Sequence, residues 1–402
     1  MEWFILSKNN FLFSILLVSG ALAFSTFFLR LILVNWYVLE KTDSSFMVGI
    51  IASLPILISP FAAPIGGKMA DKYPRKLVLF FSRFSTSTVF VLMSLIVNMD
   101  ISPIFLIGVL SIILGIFGGI EGPSGRNMIV DILGKKRIAQ GNAWAELANG
   151  VVNAIVPALS ALLLTIFTVN QMFWSLPIIG YFSSLILIYL VFFLPKQNTI
   201  KDSSSNSSIK ESLIYAFSNK NIRPILILGT STVIWGITQP LIPVYCRDIL
   251  GLTGTGYSLV TSANFVGAIF GSFILIGLGA KLAKGVVMST CMIIFSLTIF
   301  LFFIVEDPYL AGFLLFFSNI FITIWIACVF TALQSLSEEK YMGRVVAFFM
   351  MMFGLIGIGF IVGGYLGDTI GITLTVAISS TLITLLNLIV IYFSKSYRQM
   401  KI

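Results

Sequence analysis

Three charged residues in long apolar stretches of this 402-residue chain are candidates for carrying chemistry: Arg30, Glu121 and Glu146. A charged side chain within a membrane span costs about 2.5–3.5 kcal/mol on insertion scales, so each of the three is expected to have a functional or structural reason. A carboxylate in such a position can bind a proton on one side of a membrane and release it on the other. We therefore predict that Glu146 and Glu121 carry proton coupling.

Glu146 begins a polar stripe along one predicted helix. Glu146, Asn149, Asn153 and Pro157 are spaced at i, i+3, i+7 and i+11, which places them on one helical face. A polar face on a lipid-buried helix must contact a wet cavity or a partner, and Pro157 is expected to kink the helix. Two alternatives stay open for Glu146, which are contact with interfacial water and pairing with a base in the preceding loop.

Glu121 and Arg30 each allow two interpretations. Glu121 follows Gly118 and Gly119, small residues that allow close helix packing, and it can either gate one end of its helix or pair with Arg126. Arg30 can hold an anionic group of a substrate or a carboxylate. Its long stem can equally snorkel to the membrane interface.

Other polar and aromatic side chains in apolar stretches are candidates for contacting a bulky, partly apolar ligand. The second half of the chain has amides and hydroxyls in its apolar stretches but no charges. Aromatic walls suit such a ligand, although each aromatic residue can equally serve packing alone. The predicted substrate-binding residues are Arg30, Asn149, Asn153, Trp235, Gln239, Asn264, Asn319 and Trp325.

A short, highly charged segment, residues 67–76, separates the second and third apolar stretches. Its acid, Asp71, is expected to pair with a base such as Arg126. This pair would keep the helices closed on the side of this loop while a cavity opens on the other side of the membrane. Simple anchoring of the bases to lipid phosphates accounts for the bases but not for Asp71 or Gly67. The predicted gating residues are Gly67, Asp71, Lys72, Arg75, Lys76, Arg126 and Arg344.

The elements that must position these residues are membrane helices. Hydrophobic residues make up 58% of the chain and charged residues 10%, and the mean hydropathy is +1.03. Spans need about 20 residues each, and apolar runs of this length exclude barrel strands. We predict an all-α polytopic membrane protein whose twelve spans lie near 12–36, 47–67, 77–97, 103–122, 142–167, 172–194, 224–245, 255–280, 286–305, 309–333, 345–367 and 372–393.

The basic residues predict the orientation of these spans. All of the 25 Lys and Arg except Arg30, Lys41 and Arg247 fall in or beside segments on one side of the membrane. By the positive-inside rule, that side is cytoplasmic, and both termini lie there. The net charge of +9 is therefore interpreted as topology and attraction to anionic lipid rather than as nucleic-acid binding.

A long polar stretch divides the chain into two sets of six helices. We predict an N-terminal bundle at 1–195, a cytoplasmic linker at 196–223 and a C-terminal bundle at 224–402. Within the linker, Ile209, Leu213 and Phe217 recur every four residues, which suggests a short helix on the membrane surface. A plain disordered linker is the alternative.

Several features argue against an enzyme or a metalloprotein. The chain has no histidine, its three cysteines (Cys246, Cys291 and Cys328) are scattered, and no nucleophile stands beside a base. We therefore predict no catalytic residue, no metal site and no cofactor. The predicted partners are a small-molecule substrate, protons and membrane lipid.

The charged segment resembles the G-x-x-x-D-[RK]-x-G-[RK]-[RK] signature of major facilitator superfamily (MFS) transporters, with Pro74 in place of the second glycine. Further stretches resemble the bacterial exporter branch that includes macrolide-efflux and enterobactin-type siderophore exporters. These stretches are Glu40–Ser44, Pro55–Lys76, Pro123–Arg126 with Gly141–Ala143, Met342–Val345 and Gly363–Asp368.

The resemblance implies an MFS fold of two pseudo-symmetric six-helix bundles and a monomer that exports a medium-sized amphipathic compound by proton-coupled alternating access. It does not separate drug-like from siderophore-like substrates. Drug–proton antiporters carry a G-P-x-x-G-G-type signature in helix 5, and residues 156–161 keep Pro157 but lack the glycines, which weakens the implied antiport. An importer of a small polar solute is a further alternative, and a membrane-embedded enzyme is a weaker one.

Overall fold

The computed structural model describes residues 2–99, 104–134, 137–193, 209–278 and 285–400, and the regular elements in these ranges are helical. The helices are α1 (Glu2–Thr42), α2 (Ser45–Lys72), α3 (Arg75–Asn98), α4 (Ile104–Leu133), α5 (Ile138–Leu163), α6 (Val169–Met172), α7 (Ser175–Phe193), α8 (Ile209–Ser218), α9 (Ile222–Gly229), α10 (Ser231–Gly236), α11 (Leu241–Asp248), α12 (Gly254–Leu278), α13 (Gly285–Phe302), α14 (Pro308–Leu336), α15 (Glu339–Gly354), α16 (Ile356–Ile370), α17 (Ile372–Phe393) and α18 (Lys395–Arg398).

Twelve helical segments in the described ranges are long and apolar enough to cross a membrane, which confirms the predicted number of spans. Six precede the polar stretch and six follow it. The segments are formed by α1, α2, α3, α4, α5, α6 with α7, α9 through α11, α12, α13, α14, α15 with α16, and α17.

Caps and a glycine turn set several helix ends between the spans. Thr168 and Gln171 form a reciprocal capping box at the start of α6. Asp307 accepts a hydrogen bond from the Leu310 N–H at 2.7 Å and so caps α14. Gly371, with φ +87, lies in the left-handed region between α16 and α17, where a residue without Cβ is least strained.

Two predicted spans differ from the observed helices. Helix α4 continues through Pro123 to Leu133, well beyond the predicted end at residue 122. Proline is tolerated there because neighbouring helices can shield the freed carbonyl. The predicted span 224–245 is interrupted into α9, α10 and α11, and Gly236 and Pro240 flank the second interruption. Gly236 also permits close packing, since a Cβ there would lie 2.5 Å from the Ile356 carbonyl oxygen.

The chain forms two compact units. One comprises Met1–Asp43 and Leu54–Asp202, and the other comprises Ser44–Ser53 and Ser203–Ile402, so the first turns of α2 group with the second unit. In the first unit, α1, α3, α4 and α7 enclose an apolar core. Its buried members are Leu12, Phe13, Leu16, Leu79, Met128, Ile129, Ile132, Leu133, Leu187 and Leu190.

The short helix predicted within residues 196–223 is present as α8, so the alternative of a wholly irregular linker is wrong. Tyr215 of α8 stacks on Tyr341 of α15 with ring centroids 4.4 Å apart. The Tyr215 hydroxyl also accepts a hydrogen bond from the Glu338 N–H at 3.0 Å. These contacts attach α8 to the second unit, while residues 194–208 lie outside the described ranges.

Candidate functional site

A buried ion pair joins α3 to α4 within the first unit. The Arg83 Nε donates to Glu121 Oε1 at 2.7 Å, and the two side chains are 8% and 23% exposed. Of the two interpretations of Glu121, the pairing with Arg126 is wrong, because Arg126 is exposed and the carboxylate binds Arg83; a role in gating stays a prediction.

Two serines complete the surroundings of Arg83. Its Nη1 donates to the Ser19 Oγ of α1 and lies 3.5 Å from the Ser183 Oγ of α7. The two serine hydroxyls donate reciprocally, Ser19 Oγ to the Ser183 carbonyl and Ser183 Oγ to the Ser19 carbonyl, each at 2.8 Å. Their lone pairs are thereby left for the guanidinium, so one charged network links α1, α3, α4 and α7.

Arg83 is a functional candidate that sequence analysis missed. It falls within the predicted span 77–97, only seven positions after Lys76, so its charge is easily counted with the neighbouring loop bases. The signal that could have found it is its position between the apolar residues Phe80, Phe81 and Phe84, well beyond the last loop base. A base that deep in a span needs a partner just as Arg30 does.

Glycines beside Glu121 bring α2 and α4 together. A Cβ at Gly119 would lie 2.4 Å from the Ser59 carbonyl oxygen, and one at Gly66 would lie 2.6 Å from the Ile120 backbone. Neighbouring Gly118 and Gly67 would meet nothing within 4 Å. The close approach expected near Glu121 therefore depends on Gly119 and Gly66, and Gly67 is not required for packing in this structure.

A second ion pair joins the start of α3, next to the α2–α3 loop, to the end of α4. The Arg75 Nη1 lies 2.7 Å from Asp131 Oδ1, a contact that the extension of α4 makes possible. Lys76 Nζ donates to the Val191 carbonyl at 2.6 Å. Asp71 is exposed and, within the described ranges, forms no ion pair, so the expected Asp71–Arg126 contact is not made here.

Lys72 and Arg344, the remaining predicted gating bases, lie at two different helix ends. Lys72 is exposed at the last residue of α2, and its Nζ is 5.5 Å from the Tyr73 ring centroid. Arg344 is half-buried in the first turns of α15.

Arg30 lies in α1 and is 2% exposed. Its Nη1 and Nη2 have no hydrogen-bond partner in the part of the chain that the structure describes. Its guanidinium carbon lies 5.8 Å from the Phe27 ring centroid. The interpretation that Arg30 snorkels outward is wrong, because a snorkelling side chain exposes its charged head.

Three members of the predicted polar stripe of α5, namely Asn149, Asn153 and Pro157, are described, and the side chain of Glu146 lies outside the described residues. Asn149 and Asn153 are half-buried, and no described group donates to Asn153 Oδ1. The helix continues past the buried Pro157 to Leu163.

Candidates in the second unit are dispersed over several helices. Trp235 packs edge-to-face on Phe295 at 5.8 Å, and Gln239 lies half-buried one turn further along. Asn264 is half-buried on α12. Asn319 of α14 lies at the contact with α12, since a Cβ added at Gly267 would be 3.1 Å from the Asn319 Cβ. Trp325 is fully buried against Phe349, so in this structure it is a packing residue and not an accessible cavity wall.

The sequence model of the family described as Major Facilitator Superfamily matches residues 15–360 and 224–401. The chain belongs to this superfamily. Together with the twelve spans, this makes it a multi-pass membrane transporter and not an enzyme.

Curated relatives within the superfamily are distant. The chain is 27% identical over 211 residues to the multidrug resistance protein MdtG of Proteus mirabilis, covering 50% of this chain and 48% of that protein. It is 26% identical over 312 residues to MdtG of Escherichia fergusonii, covering 75% and 72% of the two chains. The chain thus spans about half the length of the first relative.

Solved structures share the MFS fold at lower identity. The nucleoside transporter NupG matches with a TM-score of 0.76 and 13% identity, covering 95% of this chain and 99% of that chain. A bacterial homologue of the iron transporter ferroportin matches with a TM-score of 0.72 and 15% identity, covering 96% and 98%. At these identities, the likeness shows the fold alone.

Proposed function

We propose that this MFS transporter exports medium-sized amphipathic small molecules across the cytoplasmic membrane, driven by the proton gradient, with both termini in the cytoplasm. Membership of the superfamily and relatives called multidrug resistance proteins support export of such compounds. The observation that carries proton coupling is the Arg83–Glu121 pair, a titratable carboxylate held inside the first unit.

Glu121 is the coupling carboxylate in this proposal. A proton on Glu121 cancels its charge and weakens its bond to Arg83. The guanidinium keeps acceptors in Ser19 and Ser183, so it is not left without partners. Because the network joins four helices, its two protonation states favour different packings of those helices and can shift the transporter between conformations. Glu146 is a second candidate for the same role on α5.

Gating is proposed for the residues around the α2–α3 loop. Asp71, Lys72 and Arg126 are exposed, so their side chains can exchange partners during transport, and Gly67 leaves open space beside them. Arg75 and Lys76 are engaged by Asp131 and the Val191 carbonyl, which attaches the start of α3 to α4 and α7. Arg344 is the proposed counterpart in the second half.

Everted membrane vesicles with an acidic interior test the coupling. Macrolides, cationic dyes and carboxylate-rich chelators are added one at a time, and the lumenal pH is followed by a fluorescent probe. Wild type is expected to release protons with at least one compound, and Glu121→Gln is expected to abolish that release. Glu40→Gln is the control, because Glu40 is another carboxylate of the first unit, accepts a hydrogen bond from the Trp36 Nε1 at 2.6 Å and has no proposed role in coupling or gating.

Two further variants separate coupling from folding. Arg83→Gln with Glu121→Gln removes the pair without leaving a buried charge, so this double variant should reach the membrane in wild-type amount. It should move substrate down a gradient but release no protons. Undiminished proton release by the double variant would contradict the role of Glu121. Substrate accumulation by wild type without proton movement would contradict proton coupling altogether.

Export of siderophore-like chelators is the second candidate function. Arg30 favours it, because an unpaired guanidinium suits a substrate that carries carboxylates. An importer of a small polar solute is the remaining alternative. Proton movement in the same vesicles distinguishes export from import. Release of protons from the lumen indicates an exporter, and uptake of protons into the lumen indicates an importer.

A further inference from the structure

Two arginines are buried among the spans of the first unit, and they differ in how their charge is met. Arg83 bonds Glu121 and the hydroxyl of Ser19. Arg30 is equally inaccessible, at 2% exposure against 7% for Arg83, yet its two terminal nitrogens bond no described group. The first unit therefore contains a satisfied arginine and an unsatisfied one.

The surroundings of Arg30 do not compensate for its charge. Leu29, Ile32 and Leu33 are buried apolar neighbours on the same helix. The Phe27 ring at 5.8 Å offers a cation–π contact, which is weak compared with a charge-assisted hydrogen bond. A guanidinium remains protonated even when buried, so it cannot escape the cost by losing its proton. A buried, uncompensated charge of this kind calls for an anionic partner.

The chemistry of that partner follows from the donor geometry and the neighbouring rings. A guanidinium fork matches the two oxygens of a carboxylate or phosphate group. Phe27 packs against Phe24 and Phe28 at 6.2 and 5.3 Å, which forms an aromatic group next to the charge on α1. An oxyanion attached to an aromatic or apolar body can satisfy both features.

We propose that Arg30 is the anion-binding residue of the substrate site and that the transported compounds are amphipathic anions, each with an oxyanion group on an apolar body. This inference rests on the proposed export function and narrows its substrate class. It assigns the neighbouring phenylalanines to the apolar body of the substrate.

Binding to the purified protein in an uncharged detergent tests the proposal. The probes are 2-naphthoate and its neutral counterpart 2-naphthamide, titrated by calorimetry. Arg30→Gln should weaken naphthoate binding by about tenfold or more, as expected for loss of a charge-assisted hydrogen bond, and should leave naphthamide binding unchanged. Arg30→Lys should give an intermediate loss, because an ammonium keeps the charge without the fork.

Lys41→Gln is the matched control. It removes the same charge from the exposed outer end of the same helix, and naphthoate binding should stay at the wild-type value. Wild-type naphthoate affinity in Arg30→Gln would overturn the proposal. Equal losses of naphthoate and naphthamide binding would also overturn it, because they would indicate damage to the site and not loss of an anion contact.

Thermal unfolding of the same variants provides an independent measurement. The terminal nitrogens of Arg30 bond no described group, so replacing Arg30 leaves no other group unpaired. Arg30→Gln should therefore unfold at or above the wild-type unfolding temperature. Arg83→Gln should unfold at a lower temperature than wild type, because it leaves Glu121 unpaired. A clear loss of stability in Arg30→Gln would show that Arg30 has a structural partner and would overturn the proposal.

Two further arms identify other sources of the anion. Inorganic phosphate is titrated in the same way. If phosphate alone bound as tightly as naphthoate, the proposal would be replaced by a site for small anions. Loss of naphthoate binding in phosphatidylglycerol nanodiscs, but not in phosphatidylcholine nanodiscs, would assign Arg30 to lipid. Because no proton gradient is present, these results are independent of the vesicle assay, so failure of export and failure of anion binding are distinguishable.

Discussion

Arg83 and Glu121 neutralise each other inside the first unit, with the Nε of one 2.7 Å from the Oε1 of the other. The pair connects two spanning helices, and Ser19 and Ser183 extend the connection to two more. Removing one member of such a pair leaves the other charge uncompensated, so the two positions must be tested together.

Single and double variants of this pair should differ in stability. We expect Arg83→Gln or Glu121→Gln to lower the free energy of unfolding by about 2–3 kcal/mol, somewhat less than for a fully buried pair because Glu121 is partly exposed. The double variant should lose less than either single variant, since no unpaired charge remains. Thermal unfolding in detergent measures the three differences, and additive losses would show that the two side chains are not coupled.

Neighbouring glycines on α4 should respond to alanine in opposite directions. Gly118→Ala adds a methyl group where nothing lies within 4 Å, so it should raise stability by about 0.5–1 kcal/mol through lower backbone freedom in the unfolded chain. Gly119→Ala places Cβ 2.4 Å from the Ser59 carbonyl oxygen and should cost about 1–3 kcal/mol. Unfolding temperatures of the two variants test this, and the same sign for both would contradict the observed α2–α4 packing.

Asp368 of α16 caps the first turn of α2 within the second unit. Its carboxylate accepts hydrogen bonds from the Ser44 hydroxyl at 2.6 Å and from the N–H groups of Ser45 and Phe46 at 2.8 and 3.0 Å. Asp368→Ala should cost about 1–2 kcal/mol, as the loss of a helix N-cap does. Amides at the start of α2 should also exchange faster with deuterium, as measured by mass spectrometry. Asp307→Ala, which removes the cap of α14, is the control and should leave these amides unchanged.

Tyr397 of α18 should make the protein sensitive to alkali. Burial raises the pKa of its hydroxyl above the usual value near 10, although a hydrogen bond with Ser289 at 3.0 Å opposes the shift. Below pH about 10 the phenol is neutral in both the folded and the unfolded chain. Above pH about 10 the unfolded chain loses the proton more readily than the folded chain, so stability falls as pH rises.

Tyr397→Phe removes this contribution. The decrease in unfolding temperature between pH 9 and 11 should therefore be smaller in Tyr397→Phe than in wild type. Tyr309→Phe is the control, because it removes the same hydroxyl from a side chain that is 88% exposed and not buried. Equal alkaline sensitivity of all three proteins would show that Tyr397 is not protected by burial.

The sequence by itself determined the membrane class, the number of spans and the short helix α8. Apolar runs of spanning length and the spacing of polar residues can be identified directly in the sequence. In lipid, an apolar run of this length forms a helix, because a helix satisfies its own backbone hydrogen bonds. For the same reason the sequence singled out Arg30 and Glu121, because a charge inside an apolar run is visible without knowing its neighbours.

The tertiary structure decided which groups meet. Glu121 pairs with Arg83 and not with Arg126, Arg75 bonds Asp131, and of Gly118 and Gly119 it is Gly119 that makes a close contact. Each of these outcomes depends on how far a helix is rotated about its axis and how far it extends past its apolar run. Hydropathy does not specify either quantity, since both are set by the side chains of neighbouring helices, which become adjacent only when the spans pack together.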